Sequence, residues 1–242
     1  MLFRTEGIVL KTQKYGDADL IVTYFTLERG ALKAFAKSPR KIKSRFGSSL
    51  EPFTHAKIAL FGKEQTSLPK LTQSDIIHSF QGLRDDLDNF ISVSKHVELI
   101  ITMMHEAEPN KKIFSLFLNT SNIIEKTRDR IKRDAISLIF QIRLLDILGY
   151  RPRLGSCGRC GRKKGNFYIS HGTALCEKCG SKMEKSLELS QGAISFYAHA
   201  STWPISNILR LTPSSQLLSQ LSSAIDEHIT YLLSKKLKTS IF

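Results

Sequence analysis

Apolar residues recur with a period of two in the first third of the chain and with a period of three to four after it. Up to about residue 75, the segments Gly7 to Thr12, Leu20 to Leu27, Ala31 to Lys37 and Ala56 to Phe61 alternate or cluster apolar side chains. Gly16-Asp17, Arg29-Gly30, Pro39, Gly47 and Gly62 separate them. Short runs between turn formers predict strands, and five or so such strands suit a small barrel.

From Leu83 the spacing becomes helical: Leu87, Phe90, Val93, Val97, Ile100, Ile101 and Met104 lie three or four apart, and Pro109-Asn110 closes the run. Ile113, Phe114, Phe117, Leu118 and Ile124 predict a second helix. A third, from Arg130 to Leu148, carries Ile136, Ile139, Phe140, Leu144 and Ile147 and stops at Gly149. Further on, Ser190 predicts a cap for a helix through His199, Trp203-Pro204 breaks the run, and Pro213 opens a last helix to about Lys236. Residues 150 to 185 have few large apolar side chains, being rich in Gly, Lys, Arg and Cys, and such a segment needs a metal to be ordered. The expected fold is α+β: a small β-barrel over 1–80, then a helical domain over 81–150 and 186–242, with a four-cysteine zinc ribbon over 151–185 inserted in it.

Cys157 and Cys160 form one C-x-x-C pair, Cys176 and Cys179 another, with fifteen residues between them. Two such knuckles supply four thiolates to one tetrahedral zinc ion, here a structural one because no position stays open for water. Gly161 and Gly180 follow the pairs where turns favour positive φ. Arg159, Arg162, Lys163, Lys164, Lys178 and Lys182 offset the double negative charge of the complex. Redox cycling of a single pair is the rival reading, and two matched pairs disfavour it. His171, between the pairs, is expected to be solvated.

Charge narrows the partners. The 242 residues carry 36 Lys and Arg against 22 Asp and Glu, a formal charge of +14, which favours phosphate-bearing partners, nucleic acid first. No stretch approaches the roughly 18 consecutive apolar residues that span a bilayer, the first residues do not read as a signal peptide, and a cytoplasmic location without membrane contact is expected. Lys33, Lys37, Arg40, Lys41, Lys43 and Arg45 fall in one segment without an acidic residue. Alternation puts Lys33, Phe35 and Lys37 on one face of their strand, opposite Leu32, Ala34 and Ala36, so a ring flanked by cations is offered to stacked bases and phosphates. Lys57 and Phe61 share a face in a later strand and extend the candidate platform. Phe35 and Phe61 as core residues, and the lysines as mere solvation, is the plainer alternative.

No phosphate-binding loop, H-E-x-x-H or serine-elbow pattern occurs, so neither ATP use nor hydrolysis is expected. A magnesium nuclease built on Asp85, Asp86 and Asp88 is a further alternative, but their place at a helix start explains them through the helix dipole.

The order of parts resembles the RecO family of bacterial DNA repair proteins, which are recombination mediators. The resemblance rests on Gly7-Ile8-Val9-Leu10, Tyr15-Gly16-Asp17-Ala18-Asp19-Leu20, Lys43-Ser44-Arg45-Phe46 and Leu50-Glu51-Pro52-Phe53. It continues through Leu144-Leu145-Asp146-Ile147-Leu148-Gly149-Tyr150, before the first cysteine pair, and the closing Leu237-Lys238-Thr239-Ser240. It implies an OB-fold barrel, binding of single- and double-stranded DNA, annealing of strands coated by single-stranded DNA-binding protein, and help with RecR in loading RecA, at the nucleoid and without catalysis. The single-stranded DNA-binding protein would engage through its acidic C-terminal tail. The chain departs from the family pattern at Ser38-Pro39, where Pro39 is expected to end the strand early. A protein-interaction adaptor with secondary DNA contact is the alternative function.

Overall fold

The computed structural model describes residues 1–40, 44–62, 68–163, 165–182 and 184–241. The chain divides into two compact units, Met1–Lys126 and Thr127–Phe242.

In the first unit, β1 (Leu2–Tyr15), β2 (Asp19–Thr26), β3 (Gly30–Ala36), β4 (His55–Phe61) and β5 (Lys70–His78) close into a barrel in the order β1-β2-β3-β5-β4. A shift in register between Val9 and Lys11 bends β1, whose first half, Leu2 to Ile8, pairs with β4 and whose residues from Gly7 to Tyr15 pair with β2. The ring is closed where β3 meets β5 in parallel at Phe35 and Lys70. Inward side chains follow the predicted alternation: Val22, Tyr24, Ala34, Ala36, Ile58 and Leu60 are buried, and Phe46 and Leu50 from the β3–β4 connector join them. β5 is the strand that hydrophobic pattern does not reveal, because Leu71 is its one buried residue.

Three helices belong to this unit: α1 (Gln81–Asp85), α2 (Leu87–Met103) and α3 (Lys111–Lys126). Asp86 caps α2 by accepting from the Asn89 backbone N–H at 2.8 Å, a more specific role than the dipole effect its place at a helix start predicts. Phe114 of α3 lies against Phe25 and His55 of the barrel, with ring centroids 5.8 Å apart in each pair. From α1, Arg84 donates to the carbonyls of Pro52 and Ser79. The change from strand to helix therefore falls near residue 80, while the packing boundary falls at Lys126.

The second unit contains α4 (Arg130–Ile147), α5 (Gln191–Thr202), α6 (Ile205–Ile208) and α7 (Ser215–Leu233), with a small sheet ordered β7-β6-β8 from Asn166–Tyr168 (β6), Thr173–Leu175 (β7) and Ser186–Leu187 (β8). Asp129, Ser190 and Ser214 cap α4, α5 and α7 through side-chain oxygens. α4 gives way to Gly149 at φ +81°, as its sequence requires. Its Ile136, Ile139, Phe140 and Leu144 are buried with Phe196 of α5 and Leu221 and Ile225 of α7. No helix among the described residues is long and apolar enough to cross a membrane.

Candidate metal centre and nucleic-acid interface

The two cysteine pairs frame the β6–β7 hairpin, and each pair closes as a tight turn. Gly161 N–H donates to the Cys157 carbonyl at 2.9 Å, and Gly180 N–H to the Cys176 carbonyl at 2.8 Å. Gly161 takes the predicted positive φ, +76°. Gly180 does not: its requirement is space, since a Cβ there would run into the Tyr168 hydroxyl.

These turns bring the four sulfurs within 4.8 Å of one another, with Cys160 and Cys176 at 3.6 Å. A tetrahedral ion with metal–sulfur bonds of about 2.3 Å sets its ligands roughly 3.8 Å apart, so the donor set fits one soft divalent metal with small adjustments. Backbone N–H groups, that of Cys176 foremost, hold the Cys157 thiol at about 6 against the effect of burial. Burial opposes ionisation of Cys176, but the Cys160 thiol and the N–H groups of Lys178 and Cys179 bring it below the ordinary thiol value. Hydrogen bonding with Cys160 and Cys176 pushes Cys179 up to about 12. Four ionised sulfurs at this separation would repel one another, and a cation at their centre would remove that repulsion. His171 stands outside the group, paired with Glu184 at 3.0 Å.

The hairpin is fastened to its own unit by buried contacts. Phe167 packs against the His228 ring of α7 at 5.8 Å, and His228 Nε2 reaches the Tyr150 carbonyl at 3.0 Å. Tyr197 of α5 donates to the Pro152 carbonyl at 2.7 Å. Burial lowers the His228 pKa, and only the Tyr150 carbonyl opposes that shift.

On the barrel, Lys33 and Lys37 are exposed and Phe35 half-buried, with Ala34 and Ala36 turned inward. Tyr15 and Phe35 meet edge to face, with ring centroids 5.8 Å apart. β3 ends at Ala36, after which Ser38 adopts φ +55° and donates its N–H to Asp19 Oδ1 at 2.6 Å. Arg40 thereby folds back on the β1–β2 turn, where its guanidinium donates to the Asp17 carbonyl at 2.9 Å. Arg45 is exposed, with its guanidinium 4.8 Å from the Phe46 ring centre. Lys41 and Lys43 lie outside the described residues, as does Lys164 near the cysteines.

Register assembles a group that period alone does not reveal. Phe35 is opposite Lys70, Lys70 opposite Phe61, and Phe61 opposite Leu2, so these four side chains share the outer surface in one row across four strands. Phe61 and Leu2 are 56% and 51% exposed. Lys57 stands apart from this row. Its cross-strand partners are Glu6 and Asp75, and it lines an open groove with Arg4, Glu28 and Gln73 in which acids outnumber cations. Lys33 is already engaged, its Nζ lying 2.6 Å from Glu106 Oε1. Tyr15 and Lys70 were not among the residues that spacing singled out. The β3–β5 junction that brings Lys70 to Phe35 is long-range, and no local pattern carries it.

Sequence models of two family domains match the chain: the N-terminal domain of recombination protein O over residues 1–80 and its C-terminal domain over residues 84–241. Relatives named DNA repair protein RecO align end to end. That of Thermodesulfovibrio yellowstonii is 43% identical, covering 96% of this chain and 94% of its own. That of Desulforamulus reducens is 28% identical, covering 100% and 93%. That of Bacillus pumilus is 29% identical, covering 98% and 93%.

Proposed function

The chain belongs to the recombination protein O family, a family of DNA repair proteins, and from that premise we propose that it is a non-catalytic mediator that binds single- and double-stranded DNA. Complementary strands coated by single-stranded DNA-binding protein would be annealed without ATP, and with RecR the protein would help to load RecA. The barrel is read as an OB-fold, the cysteine hairpin as a ribbon holding one structural zinc ion, and the location as the cytoplasm at the nucleoid.

The observation that carries the DNA reading is the outer row of Phe35, Lys70 and Phe61, a cation between two rings in register. Rings of this kind stack on bases of any sequence, while cations hold the phosphates between them. Lys37, Arg40 and Arg45 supply further exposed cations on the same domain. Each phosphate neutralised releases counterions, so affinity falls with salt. Two strands held this way lose much of their mutual repulsion, which is the physical basis for annealing.

In this reading Cys157, Cys160, Cys176 and Cys179 hold the zinc, and the ion's contribution is to order residues around the hairpin. The residues of the chain do the remaining work: Phe167, Tyr197 and His228 fix the hairpin to α5 and α7.

The deciding experiment is the annealing rate of complementary oligonucleotides precoated with the cognate single-stranded DNA-binding protein, without ATP. Acceleration that high salt abolishes is expected. Phe61→Ala should weaken single-strand binding by about 1–3 kcal/mol and leave duplex binding nearly unchanged. Tight DNA binding without acceleration would set the mediator reading aside in favour of an adaptor.

A further inference from the structure

The N-terminal half of β3 lacks β5 as a neighbour, since the two strands meet at Phe35 and Lys70. The connector between α2 and α3 takes that edge instead. Ala107 N–H donates to the Ala31 carbonyl at 2.9 Å, and Ala31 and Glu106 form a parallel bridge. Gly30, at φ +65°, lies so close to the Glu108 backbone that a Cβ would have its carbonyl carbon, oxygen and nitrogen all within 2.7 Å. The connector is therefore placed by backbone contacts that do not involve the Glu106 carboxylate.

What this placement delivers is an acid to the basic face. Glu106 Oε1 sits 2.6 Å from Lys33 Nζ, with the two side chains 74% and 49% exposed. An ion pair this open contributes little to stability, so the fold does not need it. We propose that Glu106 is a built-in competitor for DNA phosphate at Lys33, setting how tightly, and with what salt dependence, the barrel holds DNA. The inference rests on the DNA-binding reading above.

The carboxylate occupies the ammonium at the distance a phosphate oxygen would take. While it does so, Lys33 recruits no phosphate and contributes no counterion release. Exchange of the carboxylate for a phosphate needs only a side-chain rotation, because the backbone pins stay in place. The acid thus lowers affinity without blocking the surface, which suits a protein that must release strands after pairing them.

The test is single-strand binding across a salt series for the full chain and four variants: Glu106→Gln, Glu108→Gln, Lys33→Ala, and Lys33→Ala combined with Glu106→Gln. Glu106→Gln should bind about two- to fivefold tighter at low salt, with a log-log salt slope steeper by up to ~0.7. Glu108→Gln controls for the loss of one nearby negative charge and should gain less. In the Lys33→Ala background the gain from Glu106→Gln, measured against Lys33→Ala alone, should vanish. Equal gains from the two glutamine variants, or a gain that survives without Lys33, would overturn the competitor while leaving the DNA reading intact. Absence of salt-dependent binding by the unmodified protein would overturn both.

Discussion

The barrel and the cysteine hairpin are both rich in Lys and Arg, yet their charges stand in different relations to the fold. The barrel is held by a continuous core of buried side chains and by ladders around a closed ring, so the fold does not depend on its outer cations, even where Arg40 and Lys33 have partners of their own. The hairpin's core is little more than Cys157, Cys176, Tyr168 and Leu175, with Cys179 packed beside them. Arg159 even donates across the site to the Cys179 carbonyl at 3.0 Å. Charge in a region with its own core can be spent on a partner, whereas charge beside the four cysteines would, on the proposed zinc reading, first balance a four-thiolate site.

On the proposed zinc reading, the largest effect expected from breaking this contrast is loss of the metal. Cys176→Ser should abolish bound zinc, measured as one ion per chain before substitution. It should also remove most of the order around the hairpin, metal binding to such sites being on the order of 10 kcal/mol. Hydrogen exchange should report loss of protection over residues 150–185 while β1 to β5 keep theirs. Loss of protection in the barrel as well would end the contrast.

The next effect runs the other way. Combined Lys37→Ala, Arg40→Ala and Arg45→Ala should flatten the log-log salt slope of single-strand binding by up to about 2, with zinc content and thermal stability unchanged. A slope left as it was would move the phosphate contacts off this segment.

The smallest effect concerns protons. Burial holds the His228 pKa below its ordinary value, so below about pH 6.5 the unfolded chain takes up a proton that the folded one does not. Stability of the second unit should therefore fall as the pH drops through that value, and should be independent of this group above it. His228→Gln should shallow the decline in a thermal melt series. His55 in the barrel has a pKa lowered first by burial and opposed by Glu6, so the barrel should show a decline of the same sign.

Much of this arrangement is legible in the sequence because it depends on local rules. Period two placed Ala34 and Ala36 inward and Lys33 outward, the acids around Asp86 and the cap at Ser190 marked helix starts, and cysteine spacing identified the four-sulfur group. What escaped depends on distant pairing. β5 buries one residue and is a strand because β4 pairs with it along most of its length. Lys70 joins Phe35 and Phe61 only when the ring closes, and Lys57 acquires acidic neighbours by the same means. That α1 to α3 belong with the barrel is likewise set by contacts such as Phe25 on Phe114, which helical period cannot specify.

The place of the hairpin in the chain has a consequence for assembly. α4 and α5 are consecutive helices of one unit, but the whole cysteine segment runs between them. Bringing their faces together across a floppy connector carries an entropic cost that grows with the logarithm of its length. On the proposed zinc reading, a metal captured early would pin the hairpin upon itself and shorten the effective loop, and the ion would then be a clasp on the folding route as well as a brace in the finished protein. Refolding of the helices should then be faster with the metal supplied at the start than with the metal added at the end.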